Sequence, residues 1–372
     1  MKKKPLDDKD LKIINGLFKY GYKSSANFLS TKIAIPARTI AHRIKKLKAR
    51  GYLRLYPGVV DSRLGLKGCF VLLQEKREPE YIAKILIDLP YAYLISSVYG
   101  KFTGIGAYFT FDSQSFPFLL NFLDLLVEND IIEKYYLFQR VEGGYVTEVN
   151  LINYNLTNLQ WDWDFNSWLK EFKTHLPLIK DKPKRKFDLL SEIRVKFDVK
   201  DIKILKELLN IVHSDIETSS YSQHISKQID LSAVQIQRRM NRLEQEGVLL
   251  FLINFQRAES EITTFILIFI ELDDETNIPI IEYFFDSLPF QFDVTLGSGD
   301  RMCVFTYCNS RDFKWLLKSL DQLKSYTKEI FIEIIPFYYE ARHHNYICWN
   351  EETNEWKSDY RFYINQLKRS LE

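Results

Sequence analysis

Residues 39–51 read TIAHRIKKLKARG, and residues 235–247 read QIQRRMNRLEQEG. The two stretches share their apolar and basic positions at an offset of 196. The matched pairs are Ile40 with Ile236, Arg43 with Arg239, Ile44 with Met240, Leu47 with Leu243 and Gly51 with Gly247. Gly100 with Gly297 and Trp161 with Trp356 repeat at offsets of 197 and 195. The chain is therefore predicted to be a tandem duplication of one unit.

Each unit begins with a helical pattern. In the first unit, apolar residues at helical spacing predict three helices within residues 10–50. Residues 52–56 and 59–60 flank the turn pair Pro57-Gly58 and predict a two-stranded hairpin. Three helices followed by such a wing indicate a winged helix-turn-helix.

The following eighty residues of each unit have the order strand, helix, strand, strand, helix, strand, which predicts a ferredoxin-like domain. In the first unit the segments are 69–74, 79–89, 91–99, 105–111, 115–128 and 131–138. In the second they are 265–271, 278–287, 290–296, 302–307, 312–323 and 329–336. The predicted fold class is α+β, with two repeats of a winged helix-turn-helix and a ferredoxin-like (βαββαβ) domain.

The predicted domains follow from this repeat. They are a winged helix-turn-helix at 1–62, a ferredoxin-like regulatory domain at 63–142, an aromatic tail at 143–179, a basic linker at 180–197, a second winged helix-turn-helix at 198–258, a second regulatory domain at 259–340 and a second aromatic tail at 341–372. The tails have acidic neighbours, which favours packing on the sheet or across an oligomer over stacking on bases.

Composition excludes several classes of protein. No run of eighteen apolar residues predicts a membrane span, and the start of the chain does not resemble a signal peptide. The four cysteines contain no CxxC pair, so we expect reduced thiols and a cytoplasmic protein. We predict no metal site and no cofactor, because adjacent His343 and His344 point apart on a strand and lack further ligands.

The chain resembles the Lrp/AsnC (feast/famine) family of regulators. The likeness rests on the opening LDDKDLKII at 6–14, on RIKKLKARG at 43–51 and on GSGD at 297–300. It implies a transcriptional regulator that binds double-stranded DNA and responds to a small effector such as an amino acid. Because dimers of that family pair their ferredoxin-like sheets, it also implies an intramolecular pseudo-dimer that forms further homo-oligomers.

The predicted DNA-binding charge lies in the first unit. Residues 1–56 hold 15 Lys and Arg against 3 Asp and Glu, a net charge of +12, whereas residues 196–257 hold 9 against 8. Such a basic domain favours phosphate contacts. The candidates for base contacts are Arg38, Thr39 and His42, and those for phosphate contacts are Arg43, Lys45, Lys46 and Arg54. The candidates in a weaker second DNA module are Gln235, Arg238, Arg239 and Arg242.

The loop at Gly297, Ser298, Gly299 and Asp300 is the candidate effector site. Its glycines let backbone N–H groups approach a carboxylate, and Asp300 can receive an ammonium. A plain tight turn is the alternative, and the matching loop at 100–104 lacks the acid.

Two other functions stay open, although we expect a protein that is not an enzyme. Siroheme decarboxylases share this architecture, but the strands at 91–98 and 290–296 contain no His or Arg to face a tetrapyrrole. An assembly protein that kept the fold without binding DNA conflicts with the charge of residues 1–56.

Overall fold

A computed structural model describes most of the chain. The described residues are 6–89, 91–112, 114–140, 144–147, 149–151, 153–155, 160–179, 195–213, 221–255, 263–336, 338–341, 346, 348–357, 364–365 and 368. The basic segment 180–194, the pair His343 and His344, and parts of both tails lie outside these residues. No helix among them is long and apolar enough to cross a membrane.

The helices and strands follow the predicted repeat closely. The helices are α1 (Asp8–Tyr20), α2 (Ala26–Ile33), α3 (Ala37–Ala49), α4 (Pro79–Ile87), α5 (Phe116–Glu128), α6 (Phe165–Ile179), α7 (Val199–His213), α8 (Tyr221–Ile225), α9 (Ala233–Gln245), α10 (Ile278–Ser287) and α11 (Ser310–Leu320). The longer strands are β1 (Leu53–Val59), β2 (Leu66–Glu75), β3 (Ala92–Gly100), β4 (Thr103–Asp112), β5 (Ile132–Gln139), β9 (Leu249–Phe255), β10 (Thr263–Leu272), β11 (Phe292–Leu296), β12 (Arg301–Asn309), β13 (Thr327–Ile335) and β14 (Tyr338–Ala341). Two-residue strands are β6 (Tyr145–Val146), β7 (Tyr154–Asn155), β8 (Gln160–Trp161), β15 (Trp349–Asn350) and β16 (Glu355–Trp356).

The first helix-turn-helix is formed by α1, α2 and α3. The side chain of Asp7 caps α1 by accepting the backbone N–H groups of Lys9 and Asp10, and Ser25 caps α2. Ile13, Ile14 and Ile40 are fully buried where the three helices meet. The predicted helix-turn-helix is confirmed in both units.

The predicted wing hairpin is wrong. Residues 53–59 form the single strand β1, which pairs in antiparallel register with β9 of the second unit from Leu53–Phe255 to Val59–Leu249. Pro57 and Gly58 lie inside this ladder, opposite Phe251 and Leu250, and form no turn. Both strands are largely apolar in sequence, and pairing across the units satisfies their backbone groups.

Each ferredoxin-like domain contributes four strands to one large sheet system. The order is β5-β2-β4-β3 in the first unit and β13-β10-β12-β11 in the second. The units join where β13 pairs with β3 at Glu333–Gly100 and Ile334–Tyr99, and where β6 pairs with β11. At each junction, a strand of one unit therefore extends the sheet edge of the other unit.

One face of each sheet is covered by its own helices, and the other face turns toward the opposite sheet. Val71, Ile105 and Phe109 lie in the helix-side core of the first unit. Leu72, Phe138 and Phe269 belong to a separate cluster that draws residues from both units. The space between the sheets is rich in aromatic rings, with Phe269 and Phe331 stacked at 5.0 Å.

The first aromatic tail packs onto the second unit. Trp168 stacks on Phe172, contacts Phe284 and donates its indole N–H to Ser287 at 2.9 Å. The buried residues of this tail share one continuous apolar core with α1–α3 and with the helix side of the second ferredoxin-like sheet. Packing of this tail, expected from its acidic surroundings, is confirmed.

Candidate functional site

A cluster of charged and phenolic side chains lies in the space between the two sheets. Tyr108 alternates on β4 with Ala107 and Phe109, which face the helices, so its ring faces the opposite sheet. Asp293 alternates in the same way on β11 with residues of the helix-side core. Arg140, directly after β5, pairs with Gly297 and brings its side chain to the same place.

Arg140 is the centre of this cluster. Burial alone lowers the pKa of its guanidinium, but the hydrogen bond and charge interaction with Tyr108 and the charges of Asp293 and Asp61 raise that pKa overall. Burial raises the pKa of Tyr108 to about 12, although Arg140 opposes the shift. Burial also raises the pKa of Asp61, in the 3-10 helix Asp61–Leu64, to about 6. We call Asp61, Tyr108, Arg140 and Asp293 the Arg140 cluster.

Solvent reaches part of the Arg140 cluster, and we call its solvent-facing side the recess. Tyr108, Arg140 and Asp61 are half-buried, and Asp293 retains an exposed surface. The pKa of Asp293 is nevertheless raised because the surrounding protein removes water from its carboxyl. A group that is both reachable and enclosed can contact a ligand while its charge is weakly screened.

Gly68 makes room for the phenol of Tyr108. A Cβ at residue 68 would lie 2.0 Å from the Tyr108 hydroxyl oxygen and 2.7 Å from the ring carbon that carries it. Any side chain at this position would therefore displace the hydroxyl from Arg140. The glycine is explained by this close approach of a ring.

The recess can recognise an anion and move a proton. A guanidinium held by a phenol and two carboxyls can donate hydrogen bonds to a ligand carboxylate. Asp61 changes protonation near neutral pH, as suits a general acid or base. The ring of Phe70, 4.6 Å from the ring of Tyr108, belongs to the aromatic wall on which a flat ligand can lie.

Sequence reasoning missed these four residues because it inspected only the second strand of each domain for His and Arg. A usable signal was present. Tyr136, Phe138 and Arg140 fall on one face of a strand at spacing two, and Asp293 interrupts the apolar strand Phe292–Leu296. A charge on an otherwise apolar strand face indicates a polar site inside the fold.

The predicted base contacts lie together on the surface of α3. Arg38 and His42 are exposed and Thr39 is half-buried, while Lys45 and Lys46 are exposed nearby. The inward stripe of the same helix contains the buried residues Ile40 and Leu47. The backbone of Arg54 lies in β1, away from any hairpin. These positions stay predictions for DNA contact.

Three other predicted contacts are engaged inside their own units. Arg43 binds Asp7, the N-cap residue of α1, and Asp10 in α1, each at 2.7 Å. In the second unit, Arg239 binds Asp198 and Asp201, and Arg242 binds Asp201 at 2.5 Å. These arginines brace the first helix of each unit against the third.

The second recognition helix, α9, exposes fewer groups for DNA. Arg238 and Gln235 are exposed, but the Gln235 side-chain oxygen accepts the backbone N–H of Ser232 in a capping box. Glu244 near the end of α9 accepts the hydroxyl of Tyr22 at 2.6 Å and pairs with Lys23 at 2.5 Å. The two helix-turn-helix modules are therefore fixed to each other.

The candidate effector loop forms part of the junction between the units. The backbone N–H of Gly297 donates to Arg301, and that of Ser298 donates to Gln139 of the first unit. A Cβ at Gly297 would lie 2.5 Å from a ring carbon of Phe138, which explains this glycine by packing. Gly299 and Asp300 have positive φ angles of 63° and 51° and form the turn. The geometry therefore favours the tight turn over an effector site.

Within the described residues, no group of three or more His, Cys, Asp or Glu side chains has an arrangement that could hold a metal ion. The four cysteines are buried thiols.

No model of a known protein family matches the chain, and no curated protein matches it in sequence. Among solved structures, the siroheme decarboxylase NirDL is similar over 97% of this chain and 100% of its own, at 11% identity and a TM-score of 0.50. Its co-complex with an iron-uroporphyrin III analogue is similar over the same shares, at 12% identity and a TM-score of 0.50.

Regulators of transcription are similar over a smaller share of this chain. A Pyrococcus furiosus regulatory protein of the AsnC family is 25% identical over 36% of this chain and 88% of its own, at a TM-score of 0.28. A Neisseria meningitidis transcriptional regulator in complex with L-Met is 20% identical over 40% of this chain and 97% of its own, at a TM-score of 0.30.

These comparisons correct one expectation. We expected a protein that is not an enzyme, but the solved structures of NirDL, which are similar over 97% of this chain, are those of an enzyme. The chain therefore has the fold, helix-turn-helix plus ferredoxin-like domain in tandem, that the siroheme decarboxylase NirDL also has.

Proposed function

We propose that the chain is a decarboxylase that acts on a carboxylated tetrapyrrole in the recess between its two sheets. The Arg140 cluster carries this proposal, because it joins a carboxylate-binding cation to a proton donor beside aromatic rings. The whole-length likeness to siroheme decarboxylase supports it at the level of the fold. The proposal reverses our sequence-based preference for a regulator.

The proposed chemistry needs a binding group and a proton. Arg140 binds one carboxylate of the substrate and orients the macrocycle against the rings of Phe70 and Tyr136. Breaking the C–C bond of another acid side chain releases CO2 and leaves the electron pair on carbon. Asp61, with a pKa of about 6, supplies the proton that converts this carbon to a methyl group.

The test is to incubate the purified chain anaerobically with siroheme or iron-uroporphyrin III and to follow CO2 release and the product mass. We expect Arg140→Gln to reduce the rate at least about 10-fold, since charge-assisted contacts to a reacting site contribute this much or more. Lys67→Ala, at an exposed position on β2, is the matched control. No CO2 from any carboxylated tetrapyrrole would reject the proposal.

We also propose that the first helix-turn-helix binds double-stranded DNA. One observation favours it: Arg38, His42, Lys45 and Lys46 are exposed on one helix within a segment of net charge +12. Arg43 is excluded from this proposed interface because Asp7 and Asp10 hold its guanidinium.

Duplex binding by the full chain tests this second function. We expect affinity to fall steeply with salt, because phosphate contacts release counterions. Lys46→Ala should weaken binding to every sequence. It should also reduce the slope of log affinity against log salt concentration by about one. Arg38→Ala with His42→Ala should instead reduce the preference among sequences selected in vitro. Salt-independent binding, or no binding at low salt, would contradict the proposal.

Finally, we propose that the two units of one chain take the places of the two subunits of a dimer. The β1–β9 ladder and the two sheet junctions support it, because each unit completes an edge of the other. Light scattering and activity assays on the same chromatographic fractions should show that a single chain is active, and activity confined to larger species would contradict the proposal.

A further inference from the structure

We propose that the cleft between α11 and β13 binds a small amphipathic organic acid, with an apolar body and one anionic group. This site lies on the helix side of the second sheet, outside both the Arg140 cluster and α3. The inference does not depend on either proposed function.

The cleft has the size and lining of a small-molecule site. Its volume is about 500 Å³, within the usual range for such sites. Leu317, Leu320, Ile330 and Ile332 contribute apolar surface, and Leu317 is 39% exposed. This floor can accept an apolar ligand body.

The rim of the cleft carries two lysines. Lys318 and Lys324 line it together with Asp321, and both ammonium groups are exposed. Asp321 binds Lys324 at 2.7 Å, whereas the Lys318 ammonium lies 4.1 Å from the centre of the Phe165 ring. With two cations and one carboxylate at the rim, an anionic group completes the charge balance.

The sheet edge at the cleft is open. In the described part of the chain, β13 pairs with β3 only at Glu333 and Ile334, and the segment 327–332 has no strand partner on that side. The first unit provides an internal comparison. Leu73 pairs with Tyr135 just before a bulge, and Ile270 pairs with Ile330 just before the matching bulge, so Ile330 occupies the position of Tyr135.

The equivalent cleft of the first unit is closed by a side chain. The hydroxyl of Tyr135 donates to Asp124 at 2.8 Å and bridges strand to helix. Asp321 matches Asp124, but Ile330 cannot make this bond. The first unit also has Asn121 and Val127 where the second has Lys318 and Lys324. One copy has thus filled the cleft, while the other has opened it and surrounded it with cations.

The difference between the units suggests a matched pair of probes. 8-Anilinonaphthalene-1-sulfonate has fused and single aromatic rings with one sulfonate, and N-phenyl-1-naphthylamine has the same rings without it. Fluorescence titration and calorimetry of the full chain would give affinity and stoichiometry for both. We expect the sulfonate to bind more tightly than the neutral probe.

Substitutions assign this binding to the cleft. Ile330→Tyr should remove one sulfonate site by restoring the closure seen in the first unit. Leu317→Asp should remove the same site, because a carboxylate in the apolar lining repels the sulfonate. Replacing Lys318 and Lys324 with Gln should weaken the sulfonate about fivefold, the effect of about one exposed ion pair, and leave the neutral probe unchanged. Tyr135→Ile should create a second site for the neutral probe only.

The outcomes separate the proposal from other apolar sites. Binding that survives both Ile330→Tyr and Leu317→Asp in folded protein overturns the inference, and so does an equal loss of both probes when the lysines are replaced. Arg140→Gln is expected to leave this site intact. A sulfonate site that is lost instead with Arg140→Gln belongs to the recess and also overturns the inference.

Discussion

Glu333 carries a carboxyl group that is fully buried at the junction of β3 and β13. One oxygen accepts the backbone N–H of Phe102 at 2.9 Å, and the other has no hydrogen-bond partner within the described residues. Burial raises its pKa to about 7, although the Phe102 and Lys101 N–H groups and the Lys101 charge oppose the shift. The carboxyl is therefore protonated in the folded protein under mildly acidic conditions.

This raised pKa predicts a pH-dependent stability. The proton is bound more tightly in the folded than in the unfolded chain, whose reference value is 4.5. The contribution is complete below pH 4.5 and is lost as pH rises through about 7. The total change is about 3 kcal/mol by proton linkage.

Urea unfolding of the wild type and of Glu333→Gln between pH 4.5 and 8 measures the effect. The difference in unfolding free energy between the two proteins should shift in favour of the variant as pH rises, since Gln stays neutral. Asp61, with its own raised pKa, is present in both proteins and cancels. A pH-independent difference would show that Glu333 does not titrate in this range.

At the scale of elements, an arginine of the third helix holds the first helix in each unit. Arg43 joins α3 to Asp7 and Asp10, and Arg239 joins α9 to Asp198 and Asp201. The same pair of acids caps the first helix in both units, since Asp10 and Asp201 also accept the cap N–H groups of Asp7 and Asp198. Both units thus keep the ion pairs that link the first and third helices of the helix-turn-helix.

Replacing Arg43 tests this assignment against a DNA contact. Arg43→Ala should lower the free energy of unfolding by about 2 kcal/mol, because it leaves the buried Asp10 carboxylate without its cation. Lys45→Ala, at an exposed position of the same helix, should change stability by less than about 0.5 kcal/mol. Thermal denaturation followed by circular dichroism measures both. An unchanged stability with weaker DNA binding would return Arg43 to the phosphate contacts.

At the scale of the whole molecule, the first aromatic tail joins two domains that are distant in sequence. Trp168 is 6% exposed and packs on α10 of the second unit. The backbone N–H of Leu151, in the same tail, donates a hydrogen bond to the side-chain oxygen of Asn15 in α1 at 3.3 Å. The first helix-turn-helix and the second ferredoxin-like domain consequently share one core. Domains that share a core unfold together.

Trp168→Ala should therefore destabilise both of these domains at once. We expect a loss of about 3 to 5 kcal/mol, the usual cost of truncating a buried aromatic side chain. Hydrogen exchange should show faster opening in α1 and in α10 alike. Leu178→Ala, at a position 67% exposed, is the control and should change neither. Faster exchange restricted to α6 would contradict the shared core.

The duplication, the helix-turn-helix and the order of strands and helices in each ferredoxin-like domain were predictable from the sequence alone. These features depend on the spacing of apolar residues along one segment, and that spacing survives in the chain regardless of its neighbours. The exposed positions of Arg38 and His42 were predictable for the same reason, since an amphipathic helix has only one outward face.

How the two copies combine depends on tertiary contacts that no sequence pattern predicted. A lone strand at 53–59 with Pro57-Gly58 satisfies the pattern of a hairpin, but its partner is the strand at 249–255 in the second unit. The Arg140 cluster likewise draws on a 3-10 helix and on three other places in the chain, two of them in strands, with no shared motif. Local periodicity does not predict such pairings, because they depend on which sheet edges and sheet faces remain uncovered after each unit has folded.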